Sequence, residues 1–579
     1  MADVTLKING LPVTVPAGTT ILDAANSVGI KIPTLCFLKD INAIGACRIC
    51  VVEVKGARSL VASCVYPVAN NMEVFTNTPA VRKSRKTTLE LILSTHDKKC
   101  LSCIRNQNCE LQALCNEYGV EDVDRFAGSK PEYEIEDTNP YLVRDNNKCV
   151  LCRRCVAVCR HNQGVGVIGA NERGFATNIG AAFGLDLKDV PCIACGQCIV
   201  HCPVGALHEK DDTQKVWDAI ADPEKHVVIA PAPSVRATLG ECFDMPIGTN
   251  VEGKMVAAMH RLGFDAVVDV DVAADFTIME EGTEFIKRLG GEGPLPLITS
   301  CSPGWVKYCE HYFPEFIPNL SSAKSPQGMY GALMKSYYAE KMGIDPAKIC
   351  VVSVMPCTAK KFERTREQNL VDGMEDIDIS ITTRELSRMI KLAGINFTAL
   401  PDEEFDPIFG GATGAGHIFG ATGGVMEAAL RTVVEILEKK TMDNIEYHDV
   451  RGIEGIKEAT YNVAGTEVKV AVVSGTANAG KLLTEIKEGK RNYHFIEIMA
   501  CPGGCVNGGG QPLQSAYTRA HVDLKTLRAK ALYSEDEACV FRKSHENPVV
   551  KKVYEEYLGE PGSHKAHHLL HTTYIARGK

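Results

Sequence analysis

The sequence predicts a multidomain protein in which small α+β units precede a larger α/β domain. Three observations support this fold class. Cysteines are concentrated in short runs over the N-terminal part, the chain opens with a hairpin pattern, and after residue 225 short apolar segments alternate with helical ones. A length of 579 residues accommodates three or four domains, and 45% apolar residues is ordinary for core-forming protein. We expect four units, at residues 1–80, 81–125, 141–212 and 225–579.

The first unit begins with two alternating segments, Val4 to Ile8 and Leu11 to Val15, joined by Asn9-Gly10. This pattern predicts a hairpin with a positive-φ turn. A helical segment from Thr20 to Val28 follows and stops at Gly29. The unit then carries four cysteines, the middle two as Cys-x2-Cys: Cys36, Cys47, Cys50 and Cys64. The layout is typical of a plant-type two-iron two-sulfur site with unusually long gaps, and structural zinc is the alternative.

The second unit offers one histidine and three cysteines after an amphipathic segment at about residues 80–94. These residues are His96, Cys100, Cys103 and Cys109. By ligand count alone they could hold zinc equally well. Their position between two electron-carrying modules favours a four-iron cluster, because a zinc ion would interrupt an electron relay. Residues 126–140 are acidic and weakly periodic, and they predict a connector.

The third unit contains two cysteine runs with the same spacing, Cys149, Cys152, Cys155 and Cys159, then Cys192, Cys195, Cys198 and Cys202, which Pro203 follows. Three thiolates of each run can hold one four-iron cluster, while the fourth ligates the other cluster. The predicted sets are therefore crossed, one of Cys149, Cys152, Cys155 and Cys202, the other of Cys192, Cys195, Cys198 and Cys159. A zinc ribbon is the alternative, although zinc sites rarely use two identical four-cysteine runs.

The sequence pattern of the fourth unit is typical of an α/β domain with a parallel sheet at its core. Short apolar segments that alternate with helical ones predict buried strands. These segments are His226 to Ala230, Ala266 to Val272, Leu297 to Thr299, Ile349 to Val354 and Val470 to Val473.

Composition narrows the function classes. The net charge of −9 and pI near 6.0 provide no basic stripe, which argues against nucleic acid as a partner. No stretch approaches 18 consecutive apolar residues and the first residues lack the order of a secretory signal, so we expect a cytoplasmic protein without membrane insertion. Twenty-four cysteines in a reducing compartment indicate metal ligation and not a disulfide framework.

Three further cysteine loops lie too far apart to form another ferredoxin-type site. They are Thr299-Ser300-Cys301-Ser302-Pro303-Gly304-Trp305, Val354-Met355-Pro356-Cys357-Thr358-Ala359-Lys360-Lys361, and the segment from Met499 to Gly510 with Cys501 and Cys505. Together they resemble the signature loops of the iron-only (FeFe) hydrogenases, and the upstream units match that family's large clostridial form in order and spacing. The resemblance covers residues 1–579. It implies a β-grasp ferredoxin domain, a small His/Cys cluster domain, a bacterial-type double-cluster ferredoxin domain and a catalytic α/β domain.

The resemblance also implies the cofactors. These are one 2Fe-2S cluster, three accessory 4Fe-4S clusters, and an active-site 4Fe-4S cluster bridged to a two-iron unit with carbon monoxide, cyanide and dithiolate ligands. Cys357, Cys501 and Cys505 would hold the active-site cluster, and Lys360 would donate to a cyanide, as a buried cation suits an anionic ligand. The same pocket would be lined by Pro233, Ser234, Gln327, Met355 and Met499. Without the resemblance, each methionine is more simply core and Lys360 a surface lysine.

One position departs from the family pattern. The usual loop has two adjacent cysteines, the first passing protons and the second ligating iron, whereas here Cys301 is followed by Ser302. Either Ser302 binds iron through oxygen, or the loop shifts so that Cys301 is the ligand. Because soft thiolate suits iron-sulfur clusters better than a serine hydroxyl, we expect Cys301 to be the ligand.

The family's proton route falls on Glu281, Ser321, Glu284 and Arg288. Glu281 and Glu284 are three residues apart, so on a helix they share a face and could pass a proton through Ser321. The alternative is a solvated acidic helix start, since residues 279–284 would resemble an exposed first turn.

These features predict an enzyme that interconverts dihydrogen with protons and electrons. The alternatives are an electron-transfer subunit of an NADH-dehydrogenase-like complex, which residues 1–210 also resemble, and a hydrogen sensor. An electron-transfer subunit would not need Cys357, Cys501 and Cys505 in these loops, which argues against the first alternative. We identify no signalling domain, which argues against a hydrogen sensor. The electron partner could be ferredoxin or a flavin subunit linked to NAD(H) or NADP(H), and the physiological direction is open.

Overall fold

A computed structural model describes residues 2–442 and 445–578. The N-terminal unit is a five-stranded sheet covered by the helix Ile21–Ser27, whose N-cap Thr20 accepts a hydrogen bond from the Asp23 amide. The predicted hairpin is present with Asn9 and Gly10 at positive φ. In spatial order the strands are Leu11–Pro16, Asp3–Ile8, Glu73–Phe75, Val51–Val54 and Val61–Ala62.

The helix Pro79–Thr95 leads from this sheet to the His/Cys unit, and His96 is its C-cap. A short turn, Cys100–Ser102, and the helix Glu110–Glu117 complete that unit. Proline at the first position and the Thr78 hydroxyl, which accepts a hydrogen bond from Val81, fix where the long helix begins.

The third unit, which carries the two cysteine runs, has two matching halves. In each half a cysteine loop leads through a residue at positive φ, Arg153 or Gly196, into a short helix. The left-handed residue turns the chain so that the next cysteine of the run faces its neighbours. The elements are the helices Arg154–Ala157, Val158–Asn162 and Gln197–Val200, the strand pair Leu142–Arg144 and Leu207–Glu209, and the hairpin Gly169–Asn171 and Asn178–Gly180.

The C-terminal unit is built on two four-stranded sheets. The first is wholly parallel, in the order Ala266–Val267, His226–Pro231, Ile349–Met355 and Ile379–Thr382. The second has the order Leu297–Ile298, Phe495–Met499, Thr466–Ser474 and Ile456–Val463, of which the last strand is antiparallel. Loops at the carboxyl ends of these strands carry the predicted active-site residues, which is where ligands bind in open α/β sheets.

One predicted strand is wrong in extent. The segment Ala266 to Val272 stays extended only to Val267, and a helix begins at Val270. The Asp269 carboxylate causes the change, because it accepts a hydrogen bond from the Asp271 amide and caps the helix Val270–Leu289.

Helices cover both sheets. They are Thr213–Ala221, Pro233–Arg236, Glu252–Leu262, Val270–Leu289, Pro303–Tyr312, Pro326–Leu333, Ala339–Met342, Ala359–Glu363, Thr383–Leu392, Gly414–His417, Gly424–Glu438, Thr476–Lys487, Ala516–His521, Leu524–Ala538, Pro548–Val553 and His564–Leu570. Within residues 2–442 and 445–578, no helix has the length and apolar character needed to cross a membrane.

Candidate active site

The four N-terminal cysteines converge. The sulfur atoms of Cys50 and Cys64 lie 3.4 Å apart. The pKa of Cys47 is lowered to about 6 because its thiolate accepts a hydrogen bond from Cys36, and Cys64 in the same way lowers the pKa of Cys50 to about 7. Thiolates stabilised by neighbouring thiols are the form that binds metal.

The His/Cys unit also presents a ligand ready for metal. His96 is buried, burial lowers its pKa to about 4, and its Nδ1 atom has no hydrogen-bond partner. A neutral imidazole with a free nitrogen can bind a metal ion. The same unit touches the next one, since Arg105 donates to the Cys202 carbonyl at 3.0 Å and the Glu110 amide donates to Pro203 at 2.9 Å.

Cysteines of the two runs lie together in the combinations that the predicted crossed sets contain. One small cavity is lined by the sulfur-bearing residues Cys149, Cys152, Cys155 and Cys202. In the other half, the charge of Cys192 acts on both Cys159 and Cys198 and raises the pKa of each after burial.

The distances between cysteine sulfur atoms help to distinguish a multi-iron cluster from a single zinc ion. A tetrahedral zinc ion with Zn–S bonds of about 2.3 Å holds its sulfurs about 3.8 Å apart. In residues 2–442 and 445–578, the groups of three or more ligand atoms within 4.8 Å of one another contain no cysteine: Asp269, Asp271 and His417, and Glu435, His545 and Glu546. Although Cys50 and Cys64 form one close pair, no three cysteine sulfurs of the described residues lie as close together as a single zinc ion requires.

The third unit meets the C-terminal unit directly at a cysteine. Cys195 lines a cavity of about 80 Å³ together with the residues of the three signature loops. The neighbouring Gln197 amide donates to the Asn507 carbonyl at 2.8 Å, and Thr358 donates to the Ala194 carbonyl at 2.7 Å. One cysteine of the relay is thus part of the active-site wall.

The cavity collects residues from four loops at the carboxyl ends of the strands. Its lining includes the predicted residues Pro233, Cys301, Ser302, Gln327, Met355, Cys357, Lys360, Met499, Cys501 and Cys505. The predicted Ser234 does not line it. Ser234 is buried just behind the wall, where its hydroxyl accepts a hydrogen bond from Gln511 at 3.1 Å.

Lys360 is buried and not the surface lysine that the sequence alone suggests. Its ammonium donates to the Ser325 hydroxyl at 2.7 Å and to the Glu363 carboxylate at 2.8 Å. Gln327 donates to the same carboxylate at 2.9 Å. Sequence analysis missed Glu363 and Ser325, although Glu363 lies three residues after Lys360 on one helix.

Cys301 and Ser302 face different neighbours. The Ser302 hydroxyl accepts a hydrogen bond at 3.1 Å from the amide of Ala500, next to Cys501. The Cys301 thiol is buried, and burial followed by the charges of Glu281 and Glu497 raises its pKa. Cys301 therefore lies near the two glutamates, although the charge of Cys505 also acts on it, whereas Ser302 bonds to the backbone beside Cys501.

Three of the predicted proton-route residues, Ser321, Glu284 and Arg288, are directly linked, and Glu281 lies on the same helix as Glu284. Burial raises the pKa of Glu281 to about 8. The Ser321 hydroxyl donates to Glu284 at 3.0 Å, and Arg288 donates to Glu284 at 2.5 Å. Both glutamates lie well inside the helix Val270–Leu289, so the reading of an exposed first turn is wrong.

Glu497 is a further acidic group that sequence analysis missed. It is fully buried in the middle of a strand and accepts hydrogen bonds from the Gly423 and Met426 amides, both at 2.7 Å. A lone glutamate inside an apolar strand, Phe495–Met499, is the sequence signal that could have identified it.

Comparisons with known proteins cover the whole chain. Residues 225–509 match the family model described as iron only hydrogenase large subunit, C-terminal domain, and residues 522–577 match iron hydrogenase small subunit. Residues 1–79 match a 2Fe-2S iron-sulfur cluster binding domain, and residues 85–124 match the NADH-ubiquinone oxidoreductase-G iron-sulfur binding region.

Two relatives align from end to end. The NADP-reducing hydrogenase subunit HndD of Solidesulfovibrio fructosivorans is 47% identical over 588 residues, which cover 100% of both chains. Iron hydrogenase 1 of Clostridium pasteurianum is 45% identical over 98% of this chain and 99% of its own. A solved variant of the FeFe-hydrogenase HydA1 from Chlamydomonas reinhardtii superposes with a TM-score of 0.58 at 40% identity, over 64% of this chain and 100% of its own.

Proposed function

The chain belongs to the iron-only hydrogenases, and from this membership we propose how its residues divide the interconversion of dihydrogen with protons and electrons. The clusters of the N-terminal units relay electrons to an iron cluster in the 225–579 unit. One observation carries this proposal: Cys195 of the relay lines the same cavity as Cys357, Cys501 and Cys505. The cofactor supplies the redox chemistry, and the protein supplies thiolates, a buried pocket and oriented donors.

Cys357, Cys501 and Cys505 hold the active-site cluster in this proposal. For the fourth position we infer that Ser302 occupies the ligand site and Cys301 passes protons. Ligand softness alone favours the opposite assignment. The proposed one rests on position, because the charges of Glu281 and Glu497 act on Cys301 more strongly than that of Cys505, while Ser302 bonds to the backbone beside Cys501.

Protons move between Cys301 and the exterior through Glu281, Ser321 and Glu284. Glu281 takes a proton on its carboxylate and returns it, a task that a raised pKa near 8 suits at neutral pH. The Ser321 hydroxyl, which donates to Glu284 at 3.0 Å, can accept a proton while it gives one away. Arg288 fixes the Glu284 carboxylate and is a positioning residue.

Lys360 supplies the positive charge of the pocket. We propose that its ammonium, which donates to Ser325 and Glu363, would hold an anionic ligand of the cofactor, with Gln327 as a second donor. Pro233, Met355 and Met499 contribute apolar, polarizable walls that exclude water. Ser234 supports this wall from behind.

The accessory clusters are proposed at the four predicted cysteine sets, as one 2Fe-2S and three 4Fe-4S clusters. The contact of Arg105 with the Cys202 carbonyl joins the His96 unit to the double-cluster unit. Electrons would therefore pass from the His96 unit to a unit that it contacts directly.

We infer that the electron partner is a flavin-containing subunit that exchanges electrons with NAD(P)H, with ferredoxin as the alternative. The supporting fact is the 47% identity to a chain named as a subunit of an NADP-reducing hydrogenase. The isolated chain should oxidise dihydrogen with an artificial dye yet leave NADP⁺ unreduced. Reduction of NADP⁺ by the isolated chain would contradict this inference.

A cytoplasmic location is proposed on the state of the thiols. None of the 24 cysteines forms a disulfide bond, and such a number of cysteines without disulfides fits a reducing compartment.

The test of the proposed function is hydrogen turnover in anaerobically matured enzyme. Cys501→Ala and Cys505→Ala should abolish turnover and reduce the iron content, while the exposed Lys481→Met leaves both unchanged. Full turnover in either cysteine variant would overturn the proposed site.

A further inference from the structure

Lys307 is a buried lysine beside the electron relay, and among the described residues it forms no ion pair. It lies on the helix Pro303–Tyr312, one turn after Gly304, which lines the active-site cavity. Its side chain is 6% exposed. In residues 2–442 and 445–578, its ammonium makes no hydrogen bond, and no carboxylate oxygen lies within the 4.0 Å of an ion pair.

Two aromatic rings hold the ammonium in place. It lies 4.1 Å from the centre of the Phe362 ring and 5.2 Å from the centre of the Tyr141 ring. Such contacts stabilise a desolvated cation by about 2 kcal/mol or more. They do not neutralise it, and a buried charge in a folded protein is ordinarily paired.

The nearest acid on the same helix face is already occupied. Glu310 is three residues after Lys307, but its carboxylate accepts hydrogen bonds from Arg366 at 2.5 and 3.1 Å and from Arg577 at 2.6 Å. Two guanidinium groups thus satisfy the Glu310 carboxylate. The pairing leaves the lysine charge for another partner.

The position of the rings identifies that partner. Tyr141 donates to the Leu187 carbonyl at 3.2 Å and packs in the same core as Cys192 and Cys198. The charge of Cys192 also acts on Lys307. Cys192 belongs to the proposed ligand set with Cys159, Cys195 and Cys198, and Cys195 lines the active-site cavity. Four thiolate ligands make a four-iron cluster negatively charged, so it can supply the missing counter-charge.

We propose that Lys307 sets the reduction potential of the four-iron cluster next to the active site, as its buried counter-ion. The inference rests on the proposed ligand set. Reduction adds one electron to the cluster with no bond made or broken, and a fixed positive charge in a low-dielectric surrounding stabilises the more negative state. The lysine therefore raises the potential of this cluster relative to its partners in the relay.

The test is a redox titration of the intact, anaerobically matured enzyme, followed by electron paramagnetic resonance. Lys307→Met should lower the midpoint potential of one four-iron cluster, with a roughly tenfold change in its reduction equilibrium, or about 59 mV for one electron. Lys307→Arg, which keeps the charge, should leave that potential near the native value. Lys481→Met, an exposed lysine elsewhere, is the control and should shift nothing.

Each result decides the proposal. Unchanged potentials in Lys307→Met with full iron content would overturn it. If Lys307→Met loses the cluster and Lys307→Arg retains it, the cluster requires the positive charge at this position. If both variants lose the cluster, Lys307 acts by packing and the proposal fails. Cys192→Ser identifies the signal concerned: a native spectrum in that variant would refute the ligand set, whereas an altered spectrum with no potential shift in Lys307→Met would refute the lysine's role alone.

Discussion

Gly196 and Gly509 bring the electron relay and the active-site loop into backbone contact. A Cβ atom added to Gly509 would lie 2.5 Å from the Gly196 Cα atom and 2.2 Å from the Cys195 carbonyl oxygen. No side chain separates the two loops at this point. The contact keeps the cluster ligand Cys195 in the wall of the active-site cavity, so the transfer path for electrons is short.

Gly509→Ala should therefore push the relay away from the active site. The added methyl group meets backbone, which cannot move aside, and overpacking of this kind costs about 1–3 kcal/mol. We expect a lower thermal midpoint and slower hydrogen turnover with an external electron donor. Gly128→Ala is the control, because nothing lies within 4 Å of its Cβ position. Equal stability and turnover in the two variants would show that the contact is unimportant.

Glu281→Gln should stop proton transfer while the clusters remain. Loss of a positioned acid or base reduces rates by about 10²–10⁴-fold, and the amide preserves the size of the side chain. Hydrogen evolution and iron content are measured together, with the exposed Glu292→Gln as control. Native turnover in Glu281→Gln would remove this residue from the proton route.

Burial of Glu281 also predicts how stability depends on pH. The unfolded chain releases this proton near pH 4.5, whereas the folded chain keeps it up to a pKa of about 8. Between these values the native state binds more protons, so this group's contribution to the free energy of unfolding falls as pH rises. Stability of Glu281→Gln should decline less than that of the native enzyme across the window. Parallel curves for the two proteins would contradict the buried, protonated state.

Cys301→Ala and Ser302→Ala distinguish the two roles proposed for this loop. If Cys301 passes protons, Cys301→Ala should retain full iron and an unaltered spectrum of the active-site 4Fe-4S cluster, with turnover reduced by about 10²-fold or more. Ser302→Ala should instead alter that spectrum. The reverse pattern would establish Cys301 as the ligand.

Much of this architecture could be predicted from the sequence because cysteine spacing is a strong local constraint. The crossed sets follow from two equal runs, and the hairpin at Asn9-Gly10 follows from turn chemistry. The strand predicted to reach Val272 failed because the side chain of Asp269 caps a helix there. The apolar pattern of this segment fits a strand or a helix, and the cap at Asp269 favours the helix.

The partners that surround the site could not be predicted because they come from distant segments. Glu363, Glu497 and Ser325 act on Lys360 and Cys301 only after the loops converge. Likewise, the sequence around Lys307 is that of an ordinary helical lysine. Only the fold shows that Glu310 pairs with two arginines and that the Lys307 ammonium packs on the Phe362 ring. Burial and pairing are properties of the fold and have no local pattern.

We propose that cysteines from separate loops hold iron clusters that conduct electrons to one active site. Metal analysis of the anaerobically matured enzyme, combined with hydrogen turnover in Cys505→Ala, is the decisive test. We expect about 20 iron atoms per chain, hardly any zinc, and no turnover in the variant. Abundant zinc with little iron, or a fully active Cys505→Ala enzyme, would contradict it.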